Sequence, residues 1–211
     1  MSDGIDPHLA KMPLVAIMRG LRPDEAIDRV GVLVELGFRV IEVPLNSPHP
    51  LTSIERLVHR FGDQALIGAG TVLMPRQVDE LADAGGRLVI APNLDSAVMA
   101  RAGERGFVRM PGVATPSEAF AAIAQGIRTL KLFPAETLPP AAVKAWRAVV
   151  PADVWLLPVG GITATGMAAY RNAGANGFGL GSALFRPGEG RGTLRRNAEA
   201  FVNAWNGSLS V

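Results

Sequence analysis

Cysteine is absent from the 211-residue chain, which excludes disulfides, thiolate metal sites and a cysteine nucleophile together. Histidine is scarce and dispersed at His8, His49 and His59, so the clustered ligands of a transition-metal centre are lacking; only magnesium held by carboxylates stays open. No metal is therefore assigned. An excess of one charge is also missing. The 21 basic and 19 acidic residues leave +2, too weak a field to argue for nucleic acid or a membrane surface. Long apolar runs do not occur: nothing reaches the ~20 residues that span a bilayer, and the opening MSDGIDPHLAKMP holds acidic residues where a signal peptide would be apolar. The expectation is a cytoplasmic protein. A dinucleotide cofactor is not expected either, because Leu73 stands where the third glycine of a fingerprint starting at Gly68-Ala69-Gly70 should fall.

What is abundant is apolar. Hydrophobic residues make up 48% of the chain and charged residues 19%, with 24 glycines and 16 prolines spread throughout, the profile of a compact core with many short turns. Short β-branched runs bounded by glycine or proline recur, each followed by a longer segment of helical periodicity. The predicted strands are Leu14 to Met18, Arg39 to Val43, Leu66 to Ala69, Leu88 to Ala91, Phe107 to Met110, Thr129 to Leu132, Trp155 to Val159 and Gly177 to Leu180. Predicted helices include Pro23 to Leu36, Pro75 to Ala84, Ser117 to Gln125, Pro139 to Val149, Ala164 to Asn172 and a closing segment from Thr193 to Trp205. Asp6 and Pro7 suit the start of a short helix before the first strand. Gly37, Gly85, Gly106, Gly126 and Gly174 stand just before the next strand, where a left-handed cap would end a helix. The basic stretch Arg191 to Arg196 reads as a solvated helix start. Strands apolar on consecutive positions fit a parallel sheet covered on both faces. Eight such units predict an α/β fold, one (β/α)₈ TIM barrel spanning residues 1–211 as a single domain.

In a barrel the chemistry sits at the C-terminal strand ends. Lys131 lies in the apolar run Thr129-Leu130-Lys131-Leu132-Phe133, and the other two lysines, Lys11 and Lys144, are at the N-terminus and on a helix surface. Burial disfavours the ammonium and lowers its pKa, giving the neutral amine a Schiff base needs. The competing reading lets its long stem reach a carboxylate past the sheet end. Glu42, in Val40-Ile41-Glu42-Val43-Pro44, is a candidate general acid/base; an ion pair with Arg19 or Lys131 is the alternative. Arg19 and Thr71, after the first and third strands, suit a substrate carboxylate, with helix capping the plainer role for Thr71. Gly160-Gly161 and Gly179-Leu180-Gly181-Ser182 end the last two strands, where barrels often bind phosphate through backbone N–H groups; tight turns alone would also want glycine.

These residues resemble a known family, the class I aldolases acting on 2-keto-3-deoxy-6-phosphosugar acids. The resemblance covers essentially the whole chain through VAIMRG (15 to 20), VIEVPLNSP (40 to 48), IGAGTVL (67 to 73), IAPN (90 to 93), MPGVATPSE (110 to 118), TLKLFPAE (129 to 136), PVGGI (158 to 162) and GLGS (179 to 182). It implies a homotrimer of (β/α)₈ barrels that needs no cofactor and cleaves a small phosphorylated 2-keto-3-deoxy sugar acid to pyruvate and D-glyceraldehyde 3-phosphate. By the same resemblance Lys131 is the Schiff-base lysine and Glu42 the acid/base. Arg19 and Thr71 fall near the pyruvate carboxylate, Pro92 among the substrate-contacting positions, and Gly160, Gly161, Gly181 and Ser182 on the phosphate loops. Two branches differ in the C4 epimer they take. Asn46 and Val159 stand where the gluconate branch has arginine and threonine, which resembles the galactonate branch; Leu130 to Glu136 has the form common in the gluconate branch. A gluconate-branch aldolase, a phosphate-binding isomerase or epimerase, and a non-catalytic sugar-phosphate sensor are the alternatives.

Overall fold

The computed structural model describes residues 4–207. Within them α1 (Pro7–Lys11) precedes an alternation of strands and helices: β1 (Leu14–Ile17), α2 (Ala26–Glu35), β2 (Val40–Pro44), α3 (Pro50–Phe61), β3 (Leu66–Gly70), α4 (Pro75–Asp83), β4 (Leu88–Ile90) and α5 (Ser96–Glu104). The second half continues with β5 (Val108–Met110), β6 (Gly112–Val113), α6 (Pro116–Ala124), β7 (Thr129–Leu132), α7 (Pro140–Arg147), β8 (Trp155–Pro158), α8 (Met167–Asn172), β9 (Phe178–Leu180) and α9 (Arg191–Gly207). Every strand pairing is parallel.

Six strands form one sheet in the order β5-β4-β3-β2-β1-β9, and β6-β7-β8 form another. The predicted fifth strand ends at Met110 as β5, and past Pro111, which has no N–H to donate, lies a short unpredicted strand β6; β5 pairs with β4 while β6 pairs with β7. At the other edge a parallel bridge joins Val159, just past β8, to Gly179 of β9. The architecture is α/β with a curled parallel sheet.

Two apolar layers hold it. On the inner face Val15, Val40, Leu66, Leu88, Ile90, Met110 and Leu157 pack together, and Leu9 of α1 joins them. The outer layer combines alternate strand residues such as Ala16, Ile41 and Val43 with helix residues such as Val30, Leu33, Ile54 and Leu57. Both strand faces are therefore buried, which is why the strands read as continuous apolar runs. Side chains two apart share a face, so Val40 sets the inner core and Glu42 stands above it on the same side.

The five predicted cap glycines all adopt positive φ, from 72° at Gly106 to 101° at Gly174. Asp6 accepts from His8 N at 2.8 Å to start α1, and Thr115 with Glu118 forms a capping box on α6. Two starts differ from expectation. Pro23 to Glu25 form a turn before α2, closed by Glu25 N donating to Arg22 O, and α8 begins at Met167 rather than Ala164. The basic stretch at the start of α9 is not merely solvated: Arg191 bonds Asp28 at 2.7 Å and Glu35 at 3.3 Å, and Arg195 also pairs with Glu35, tying α9 to α2.

Candidate active site

Lys131 lies on β7 between Gly112 of β6 and Leu157 of β8 in the register. Its side chain is 7% exposed, and Nζ sits 4.5 Å from the centroid of the Phe133 ring. No carboxylate lies within 4.0 Å of it among the described residues, so the ion-pair alternative has no partner. Burial pushes the ammonium below its usual range; the charge of Glu42 opposes this and that of Arg19 adds to it.

Glu42 occupies β2 between Ile17 of β1 and Gly68 of β3, and is 2% exposed. Its Oε2 has no hydrogen-bond partner. Burial is the largest influence and raises the carboxyl to about 7, against the pull of Lys131 and Arg19. Such a group sits near the midpoint of its titration at neutral pH and can both give and take a proton. The room it needs is made by Gly70, where a Cβ would overlap Glu42 Oε2.

Both residues line one cavity of about 340 Å³, within the size range of small-molecule sites. Arg19, just past β1, enters it from one side and donates from Nη1 to Asn46 Oδ1 at 2.7 Å. The neighbouring Gly20 N donates to Ser47 Oγ at 2.9 Å, so the loops after β1 and β2 are joined twice. Asn46 thus reaches the site through Arg19. Val159, Gly160, Gly161, Gly181 and Ser182 also line it, from the loops after β8 and β9. Gly160 and Gly161 have φ of 110° and 62°, a consecutive left-handed pair that side-chain-bearing residues rarely adopt. A Cβ on Gly181 would meet nothing within 4 Å, so the space beside it is open.

Besides Asn46, two further candidates, Thr71 and Pro92, do not line the cavity. Thr71 stands at the end of β3 with φ 58°, an unusual conformation for a β-branched residue, and follows the glycine that abuts Glu42. It does not cap α4; Gln77 Oε1 does, accepting from Leu73 N and Met74 N. Pro92 follows β4, and its carbonyl would be overlapped by a Cβ on Gly112, the register partner of Lys131. Its backbone therefore packs against β6, the strand beside Lys131.

Sequence reasoning missed Phe133, Glu136 and Arg186 in the lining. Phe133 could have been found two positions beyond Lys131, where an inward strand would place its next side chain. Glu136 belongs to the 3₁₀ turn Ala135–Thr137, packed so closely on the glycine pair that a Cβ at Gly160 would overlap its carboxylate. Arg186 comes from the loop after β9 and carried no local signal. Among the described residues no group of three or more His, Cys, Asp or Glu is placed to hold a metal ion. No helix among them is long and apolar enough to cross a membrane.

Residues 5–189 match the family model described as KDPG and KHG aldolase. The chain is 50% identical over 194 residues to the probable 2-dehydro-3-deoxy-6-phosphogalactonate aldolase of Rhizobium meliloti (strain 1021), covering 92% of each protein. It is 46% identical over 195 residues to the 2-dehydro-3-deoxy-6-phosphogalactonate aldolase of Escherichia coli (strain K12), covering 92% of this chain and 95% of that one. Among solved structures, the native KDPGal structure aligns with a TM-score of 0.93 at 45% identity over 95% of this chain and 98% of the other. With a buried amine and a buried carboxyl facing one cavity, and a match along nearly its whole length, the chain belongs to the KDPG and KHG family of class I aldolases, which are lyases.

Proposed function

We propose that this aldolase cleaves 2-dehydro-3-deoxy-6-phospho-D-galactonate to pyruvate and D-glyceraldehyde 3-phosphate through a Schiff base on Lys131. The observation that carries the reading is the opposed behaviour of two buried groups on one cavity: burial favours the neutral amine of Lys131 and raises Glu42 to about 7. A nucleophilic amine beside a half-titrated acid is what imine formation requires.

Neutral Lys131 adds to the C2 carbonyl, and its nitrogen transfers a proton to the new oxygen through Glu42 to give the carbinolamine. Protonated Glu42 then gives its proton to the departing hydroxide, so water leaves and the iminium forms. The cation withdraws the electrons of the C3–C4 bond as the C4 hydroxyl loses its proton to Glu42, directly or through water. Glyceraldehyde 3-phosphate departs. The remaining enamine takes that proton at C3, and water hydrolyses the iminium to pyruvate and neutral Lys131, its released proton returning to Glu42 and restoring the starting carboxyl. Arg19, steadied by Asn46, holds the carboxylate, with Thr71 beside it and Pro92 packed against β6, the strand beside Lys131. Gly160, Gly161, Gly181 and Ser182 receive the phosphate through backbone N–H groups and a hydroxyl.

The galactonate epimer is favoured by the two relatives above and by Val159, which offers no hydroxyl to the other C4 configuration. The two sheets are read as eight staves of one closed (β/α)₈ barrel in a single domain: the Pro111 junction and the Val159–Gly179 bridge support closure at both seams. The family resemblance supports reading the assembly as a homotrimer, and we read its place as the cytoplasm. The test is mass spectrometry after borohydride reduction with pyruvate. The parent chain gains one reduced pyruvate adduct, mapped to the peptide holding Lys131, and Lys131→Met gains none; an undiminished adduct in that variant removes Lys131 from the role.

A further inference from the structure

Backbone amides alone leave a phosphate dianion poorly matched in this cavity, because the carboxylate of Glu136 rests against the Gly160-Gly161 pair. A compensating cation is needed on that side. Of the three basic side chains in the lining, Lys131 is directed to the reacting carbon and Arg19 is drawn by Asn46 towards the loop after β2. Arg186 is committed to neither role. Its Nε donates to Ser182 O at 2.9 Å, and no protein group bonds its two terminal nitrogens among the described residues. The next residue, Pro187, is seated on Gly20 so closely that a Cβ there would overlap its ring. The guanidinium is therefore tethered at its base with its free fork available to the cavity, although the side chain as a whole is exposed. β1 and β9 are neighbours in the sheet, yet their two arginines are tied to opposite flanks, Arg19 to Asn46 and Arg186 to Ser182.

We propose that Arg186 is the cationic half of the phosphate site and sets the preference for phosphorylated over unphosphorylated 2-keto-3-deoxy acids. This rests on the aldolase reading above and names a specificity determinant within it. The fork of donors matches phosphate oxygens, which a lysine ammonium does less well. Because the group is exposed, the effect is about tenfold rather than larger.

The test compares the parent chain with Arg186→Met and Arg186→Lys on 2-dehydro-3-deoxy-6-phosphogalactonate and on its unphosphorylated counterpart. For Arg186→Met, kcat/KM on the phosphorylated acid falls about tenfold through KM, and the phosphorylated-to-unphosphorylated ratio falls with it; Arg186→Lys lies between. Equal losses on both substrates, or an unchanged ratio, overturn the proposal. Inorganic phosphate titrated by ³¹P NMR reads the same site without turnover and binds Arg186→Met about tenfold more weakly if the proposal holds. Equal phosphate binding by parent and variant overturns it. A parent chain that cleaves neither acid but loses phosphate affinity on Arg186→Met refutes the aldolase reading and leaves the phosphate site standing.

Discussion

Glu42→Gln removes the one fully buried carboxyl among the described residues while keeping its shape, and the pH dependence of its effect follows from the fold. A free glutamate titrates at 4.5, whereas this one is raised to about 7 by burial. Between those values the folded chain holds a proton that the unfolded chain has released, so the contribution of Glu42 to stability declines as pH rises. It is complete below 4.5, lost once pH passes about 7, and flat beyond. At about 1.4 kcal/mol per pH unit the change across that window is roughly 3 kcal/mol. Glutamine does not titrate. Measured against the parent, Glu42→Gln therefore gains roughly 3 kcal/mol between pH 4.5 and pH 8, or on the order of 6–12 °C in Tm for a chain of this size.

Two other effects need separating. The buried amide leaves a polar group without a partner, as Glu42 Oε2 already is, at a cost of about 1–3 kcal/mol that does not vary with pH and so cancels in the trend. Lys131 works in the opposite direction: with its pKa lowered, the folded chain gives up a proton that the unfolded chain keeps, and stability rises with pH until the free lysine also titrates. Its burial is common to both proteins, but without the Glu42 charge Lys131 is lowered further in the variant, which adds to the variant's gain with pH rather than opposing it. The assay is urea denaturation from pH 4.5 to 8 at fixed protein concentration, with cleavage measured alongside and expected to fall about 10²- to 10⁴-fold in the variant. Stability curves that run parallel to within about 1 kcal/mol would refute the reasoning, since the carboxyl would then titrate as an ordinary one.

Gly70→Ala is expected to lower kcat about a hundredfold with far-UV circular dichroism unchanged, because the new Cβ must displace the Glu42 carboxylate. Undiminished turnover would mean that the carboxylate does not need its present position. Val159→Thr is nearly isosteric and brings a hydroxyl to the cavity wall, so the kcat/KM ratio of the gluconate to the galactonate epimer is expected to rise about tenfold in direct cleavage assays. An unchanged ratio removes Val159 as the discriminator.

The parts of this molecule that could be read from sequence are those whose physics is local. Cap glycines are legible because a left-handed residue excludes most side chains, and all five fall where helices end. Pro23 misled because proline followed by acidic residues suits a turn as well as a first helical turn, and the chain uses the turn. Pro111 was legible in principle, since a residue without an N–H must interrupt a ladder. Lys131 and Glu42 were conspicuous for a related reason: an ionisable group inside an apolar strand carries a desolvation penalty wherever the strand lies. Arg186 and Glu136 offered no such contrast, being charged residues in loops, where charge is ordinary. Their relevance arises only when Pro187 seats on Gly20 and the turn after β7 packs on Gly160, contacts between segments far apart in the chain. In the proposed reading the chemical step lies on two strands, while the choice of which anion reaches it depends on loops brought together by folding. Arg186→Met should accordingly alter substrate preference far more than the trapping chemistry at Lys131, whereas Gly70→Ala, acting on a strand, should do the reverse.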